Sequence, residues 1–123
     1  MDPAEQLYEA NRQDQNDVEE IAGRTGWKPG NIAKVKHHLF IEIHLLDSYE
    51  ALGVAPVMAR FDADRSIAES WLRLKTGAFT EFDLQLLRHE TAEAWRMRKH
   101  GPSHRRAHAA AMKRFPAPKE LWS

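Results

Sequence analysis

The sequence His-Glu-x-x-Glu at residues 89–93 carries the clearest chemical signal in this chain. Residues four apart lie on one side of a helix, so His89 and Glu93 can bind one metal ion together. Glu90 is turned by about 100° from His89, where it can act as the general base that deprotonates an attacking water. Zinc peptidases use a related His-Glu-x-x-His pattern. The motif therefore predicts metal-dependent hydrolysis, with zinc as the first choice and iron or manganese as alternatives.

A metal held by His89 and Glu93 needs a third ligand, and two histidines elsewhere are candidates. His108 is expected on a last helix that a glycine–proline turn at residues 101–102 folds back beside the long one. His38 is expected beside the apolar stripe of an earlier helix, as the other wall of the same cleft. We predict His89, Glu93 and His108 as ligands and assign His38, with Glu90, to the catalytic set. His104 is expected to be exposed.

The charges are distributed unevenly, although 18 basic and 18 acidic residues cancel over the whole chain. Residues 1–20 hold seven acids and one base, whereas residues 94–114 hold seven bases and no acid. Such a patch attracts phosphates, and Arg96, Lys99 and Arg105 are predicted to bind a substrate. That substrate is a phosphodiester, in a nucleic acid for example, or a peptide. The alternative is a solvated face that pairs with the acidic N-terminus.

Helix start and stop signals predict an all-α fold, as a single compact domain of five or six helices. N-caps are expected at Asp2, Asp17, Asp64 and Ser103, with a capping box at Thr80 and Asp83. These signals predict helices over about 3–14, 31–46, 65–76, 81–99 and 104–114, and one that begins at Asp17 and ends near Gly23 or Gly26. No alternating pattern long enough for a strand is present.

The whole chain is predicted to be one domain, which we divide into five parts. They are an N-terminal helix (1–16), a helix pair (17–46), an irregular link (47–63), the helical region with the His-Glu-x-x-Glu motif (64–115) and a tail (116–123).

Two other functions remain open. Residues 21–36 have the helix, glycine turn and helix of a helix-turn-helix, in which Lys34 and Lys36 would contact DNA. Alternatively, the chain is a non-catalytic helical interaction domain. Glu93 would then pair with Arg96 or Arg88, and His89 would be hydrogen-bonded in the core.

Composition excludes several classes of protein and site. With no cysteine, the chain has no disulfides, iron–sulfur cluster, thiolate zinc site or cysteine nucleophile. No apolar run approaches the roughly 20 residues that span a bilayer. The polar, acidic start is unlike a signal peptide, so we expect a cytoplasmic protein that does not contact membranes. The sequence does not indicate an oligomeric state.

Five segments of the chain carry a family resemblance by their order and spacing. They are residues 37–40, 60–64, 67–74, 86–93 and 107–108. Together they resemble C-terminal toxin domains of bacterial polymorphic toxins and related phage-derived proteins, over about residues 18–115. The resemblance implies polar site positions at His38, His89, Glu90, Glu93 and His108. It further implies an effector that is delivered to its target and has an immunity protein as partner, without implying a particular reaction.

Overall fold

The computed structural model describes residues 2–47, 49–101 and 103–114, which form six α-helices and one small sheet. The helices are α1 (Pro3–Gln13), α2 (Asp17–Thr25), α3 (Pro29–Lys36), α4 (Arg65–Thr76), α5 (Glu81–His100) and α6 (His104–Arg114). The predicted all-α class is therefore confirmed, and the helices pack as a single compact domain. The predicted tail, 116–123, lies outside the described residues.

Local caps fix the start of three helices where the sequence predicts them. The Asp2 carboxylate accepts a hydrogen bond from the backbone N–H of Ala4 at 2.8 Å, which opens α1. Asp64 does the same for α4, and Thr80 with Asp83 forms the predicted capping box of α5. Such caps satisfy backbone N–H groups that have no partner within the helix. Their signal is local, so the sequence alone reveals it.

Asp17 is not the N-cap that the sequence predicts. It is the first residue of α2 and is fully buried, and its carboxylate accepts from Lys36 Nζ at 2.8 Å and from Trp71 Nε1 at 3.1 Å. Asn16 occupies the cap position. The Asp14 carboxylate accepts from the backbone N–H groups of Asn16 and Asp17 instead. The Asp17 side chain, which the local pattern predicts as a cap, therefore forms a tertiary ion pair with Lys36 instead.

The helix predicted over 31–46 continues only to residue 41, and its last part is not α-helical. A π-helix, His37–Ile41, follows α3, and the backbone N–H of Glu42 closes it by donating to the His37 carbonyl at 2.7 Å. Strand β1 (His44–Leu46) then pairs antiparallel with β2 (Val57–Ala59), with Leu45 opposite Met58. The link predicted to be irregular thus contains a strand and a 3-10 turn at Glu50–Leu52. Strands of three residues are too short for an alternating pattern to indicate them.

An aromatic core fixes the π-helix against α1 and α4. Phe40 packs edge-on against Tyr8 of α1, with ring centroids 4.7 Å apart, and against Trp71 of α4 at 5.2 Å. All three side chains are buried. Since edge-to-face rings at this spacing are favourable, Phe40 anchors the segment that carries His38.

The helices of the described residues include none with the length and apolar character to cross a membrane.

Candidate metal centre

Four histidine rings converge on the carboxylate of Glu93. Nε2 of His38 and Nε2 of His104 lie 3.0 and 3.1 Å from Oε1 of Glu93. Nε2 of His89 and Nδ1 of His108 lie 3.3 and 3.1 Å from Oε2. With Glu90, these residues make up the His/Glu centre. Ligands bound tetrahedrally at about 2.0–2.1 Å from zinc are themselves about 3.3 Å apart, so the spacing in the centre suits donors around a cation.

Three elements supply the His/Glu centre. The π-helix provides His38, α5 provides His89, Glu90 and Glu93, and α6 lies against α5 with its two histidines. The histidines of α6 are one helical turn apart, which puts both on the face toward α5. Side-chain exposure rises from 0% at Glu93 to 18% at His104 and 34% at His108. The centre therefore opens toward solvent on the α6 side.

Asp47, just after β1, fixes the beginning of α6. Its carboxylate accepts from the Ser103 hydroxyl at 2.6 Å and from the backbone N–H of Arg105 at 2.9 Å. Burial would raise the pKa of Asp47, but these two hydrogen bonds outweigh it and lower the pKa below its usual value. Since these two residues flank His104, Asp47 sets the distance of that imidazole from Glu93.

His38 is positioned by its neighbours in the π-helix and sheet. Nε2 of His44 lies 2.7 Å from the His38 carbonyl oxygen. The Phe61 ring stacks on His44 with centroids 4.1 Å apart and contacts the edge of His38 at 5.3 Å. Nδ1 of His38 forms no hydrogen bond within the described part of the chain, and the Glu42 carboxylate lies 3.9 Å from it.

Glu90 is a buried carboxylate without a hydrogen bond. It is 0% exposed, and within the described part of the chain neither oxygen has a hydrogen-bond partner. Oε2 lies 3.2 Å from Nε2 of His38, but that nitrogen is directed at Glu93. Burial, reinforced by the charge of Glu93, raises the pKa of Glu90 above its usual value. A carboxylate in this position requires a proton or a cation.

The pKa values of Glu93 and His38, the neighbours of Glu90, shift because carboxylates and imidazoles lie close together in the centre. Burial would raise the pKa of Glu93, but contacts with His104, His108, His38 and His89 hold it well below the usual value. Burial would lower the pKa of His38, whereas Glu90 and Glu93 together raise it to about 9. The two carboxylates thus favour positively charged groups in the centre. A divalent cation is one source of that charge.

Among the described residues, three groups of side chains could hold a metal ion. Two of them, His89–Glu93–His108 and His38–Glu90–Glu93, belong to the centre, and the third is His38–Glu42–His44. Within each group the ligand atoms lie within 4.8 Å of one another. The third group fits less well, because His44 already uses Nε2 at the His38 carbonyl and Glu42 is 42% exposed.

Comparisons of the chain with protein-family models, curated proteins and solved structures found no match. The resemblance to toxin domains therefore remains a prediction, and the chemistry of the chain has to be argued from the centre itself.

The structure brings together five residues that the sequence singles out: His38, His89, Glu90, Glu93 and His108. Sequence reasoning missed His104, which it expected to be exposed but whose imidazole is directed into the centre. Its position four residues before His108 was the available signal. His104 also contacts Phe61, with ring centroids 4.6 Å apart; that neighbour cannot be deduced from local spacing.

The three predicted substrate-binding residues do not cluster at the centre. Arg96 lines a separate groove of about 580 Å³ with Trp27 and Trp95, and that groove includes no residue of the His/Glu centre. Lys99 is exposed near the end of α5. Arg105 is exposed next to His104 in sequence and lines a cavity of about 320 Å³, which also includes no residue of the centre. The role of each of the three residues stays a prediction.

Some contacts expected from the alternative functions are not present in the described residues. Arg88 pairs with Glu81 at 2.8 Å, and the ion pairs described for Glu93 are all with histidines. Lys36 is buried against Asp17, so it cannot contact a DNA phosphate as the helix-turn-helix interpretation requires.

Proposed function

We propose that this chain is a metal-dependent hydrolase whose metal is bound at the His/Glu centre. The observation that carries the proposal is the convergence of four imidazoles on Glu93 beside Glu90, a buried carboxylate without a hydrogen bond. A metal-free network satisfies Glu93, because a carboxylate has about four acceptor positions, but it leaves Glu90 with no hydrogen bond and only the contact of Oε2 with His38 Nε2 at 3.2 Å. A divalent cation neutralises both carboxylates. Imidazole and carboxylate ligands without thiolates favour zinc, with manganese or iron as competitors.

A phosphodiester is the substrate class that we favour over a peptide. The centre opens beside α6, a helix with Arg105 and Arg106 exposed and with no acidic residue of its own. Cations at the mouth of a site attract an anionic substrate. Hydrolysis would form a bond from the water oxygen to phosphorus and break the ester P–O bond, and the departing oxygen would take a proton. The bound metal would supply electrophilic stabilisation of the phosphoryl oxygens.

Glu90 is better placed as a metal ligand than as the general base predicted from the motif. Its carboxylate is fully buried and lies against His38, away from the more exposed histidines of α6. A general base has to reach the attacking water within hydrogen-bond distance. These observations support coordination by Glu90 and leave proton transfer to a group nearer the mouth.

The first experiment measures metal content and activity in the same preparations. Purified chain is analysed by elemental mass spectrometry and assayed with bis(p-nitrophenyl) phosphate and with casein. We expect stoichiometric zinc, manganese or iron, and diester hydrolysis that Glu93→Gln reduces by at least about 100-fold, because a metal contributes several kcal/mol to catalysis. His37→Ala, an exposed histidine in the same π-helix as His38, is the matched control and should keep both properties.

Three outcomes would contradict parts of this proposal. Folded chain without stoichiometric metal would exclude the metal centre and favour the interaction domain. Metal without hydrolysis of either substrate would exclude the enzyme. Cleavage of casein alone would retain the metal hydrolase and reject the phosphodiester substrate.

A further inference from the structure

The histidines of the centre divide evenly between the two oxygens of Glu93. His38 and His104 lie at Oε1, at 3.0 and 3.1 Å, whereas His89 and His108 lie at Oε2, at 3.3 and 3.1 Å. The two histidines of α6 thus contact different oxygens, although both extend from one helix face. A carboxylate with ligand sets on both oxygens has the arrangement of a bridging ligand.

The ligand groups also fall into two sets rather than one. His38–Glu90–Glu93 and His89–Glu93–His108 each keep their donor atoms within 4.8 Å, and the two sets share only Glu93. Among the described residues, no group of this kind contains His38 together with His89. A single ion bound at about 2.0–2.2 Å from each ligand therefore fits either set, but not both at once.

We propose that Glu93 bridges two divalent metal ions. The first ion would be held by Glu93 Oε1, His38 and Glu90, and the second by Glu93 Oε2, His89 and His108. In two-metal hydrolases the ions are about 3.5–4 Å apart, a distance that one bridging carboxylate spans. The inference rests on the proposed function, since it requires that the centre binds metal.

The two sets differ in burial, which assigns them different tasks. The first consists of His38, Glu90 and Glu93, which are all buried. The second includes His108, the most exposed member of the centre. A catalytic metal keeps a position open for substrate or water. The second ion would therefore face the substrate while the first supports the bridge.

Charge favours an anionic substrate at such a pair. Two divalent ions bring four positive charges, and Glu90 and Glu93 return only two negative ones, because the other ligands are neutral imidazoles. The exposed bases at the start of α6, Arg105 and Arg106, add to that excess. A phosphodiester bound across both ions would offset it. A peptide bond, which is neutral, would not.

The test is the zinc stoichiometry of the full chain, titrated after metal removal against a chromogenic chelator. We expect two zinc ions per chain. His108→Ala should keep the first site and weaken the second by more than about 100-fold, because even changes outside the ligand shell cost about 10–100-fold. His38→Ala should weaken the first site selectively, and Glu93→Gln should weaken both. His108→Ala changes a partly exposed side chain and His38→Ala a buried one, and circular dichroism monitors the folding of both variants.

Manganese offers a second measurement that does not depend on zinc affinity. With two equivalents of Mn²⁺, the wild type should give the electron paramagnetic resonance spectrum of a spin-coupled pair, and His108→Ala that of an isolated ion. One zinc per chain with uncoupled manganese would overturn the two-ion centre and leave the proposed metal hydrolase intact. No bound metal would overturn both.

Discussion

Two buried carboxylates in this protein have opposite surroundings. Asp17 accepts hydrogen bonds from Lys36, from the Trp71 indole and from the Val18 backbone. Glu90 is equally buried but accepts none within the described residues. Burying an ionised group is tolerated when partners compensate for lost hydration. Burial of an acid therefore does not indicate a metal site by itself. The informative feature of Glu90 is that its carboxylate accepts no hydrogen bond within the described residues.

The Asp17–Lys36 pair allows a direct test of its structural role. Asp17→Ala should lower the free energy of unfolding by about 3–5 kcal/mol, because it leaves the Lys36 ammonium buried without its counter-charge. Urea denaturation at neutral pH measures the change. Glu20→Ala, an exposed acid in the same helix, should alter stability by no more than about 0.5 kcal/mol. A loss below about 1 kcal/mol would show that the pair behaves as a surface ion pair.

At the scale of elements, α5 brings three residues to the centre, and its N-terminus is attached to α4. The Asp83 carboxylate accepts from the Ser70 hydroxyl at 2.6 Å and from both Nε and Nη2 of Arg73, at 3.0 and 2.8 Å. It also accepts from the backbone N–H of Thr80. This one side chain thus caps α5 and fixes its direction relative to α4.

Acid should weaken that attachment. Burial raises the pKa of Asp83, but hydrogen bonds from Arg73, Ser70 and the Thr80 backbone outweigh it and lower the pKa below the usual 3.8. A lowered folded-state pKa contributes stability that is complete above the unfolded-state pKa and is lost as the pH falls through the folded-state value. Asp83→Asn should therefore cost about 1–3 kcal/mol at pH 7, and less as the pH falls below 3.8.

Urea denaturation at pH 7 and at acidic pH measures this difference. Asp62→Asn changes an exposed carboxylate and is the control for general effects of acid. An unfolding free-energy difference between wild type and Asp83→Asn that stays constant on acidification would rule out the electrostatic explanation.

At the scale of the whole molecule, the acidic N-terminus and the basic C-terminal region do not neutralise each other. The ion pairs described for residues 1–20 join Glu9 to Arg12, Asp14 to Lys75 and Asp17 to Lys36. None of these bases belongs to residues 94–114, so the predicted pairing of the two regions is wrong for the described residues. Arg105 and Arg106 stay exposed at the start of α6.

Phosphodiester hydrolysis should consequently depend on Arg105 and on ionic strength. Arg105→Ala should raise KM by about fivefold, or about 1 kcal/mol, with kcat little changed, because an exposed charge acts mainly on encounter and binding. Added salt should reduce kcat/KM of the wild type more than that of the variant. Arg65→Ala removes an exposed arginine that pairs with Glu69 on α4 and should match the wild type. Identical KM values for the wild type, Arg105→Ala and Arg65→Ala would show that Arg105 does not contribute to substrate binding.

The sequence predicted what local interactions control. Helix starts at Asp2, Asp64 and Thr80 agree with the structure, because a cap needs only a side chain and the N–H groups within the next three residues. The pairing of His89 with Glu93 follows for the same reason, since a helix places residues four apart on one side. Membership of His108 and His38 in the centre followed from the turn at residues 101–102 and from helical spacing.

Long-range contacts decided the rest. The π-helix and the short sheet deliver His38, which meets Glu93 across a separation of 55 residues, and Asp47 holds the start of α6 from 58 residues away. The burial of Lys36 against Asp17 and the contact of His104 with Glu93 also depend on how separate elements pack. The sequence alone therefore determined most of the helices and the pairing of His89 with Glu93. Only the tertiary structure decided that four imidazoles divide between the two oxygens of one carboxylate, because that arrangement depends on how separate elements pack.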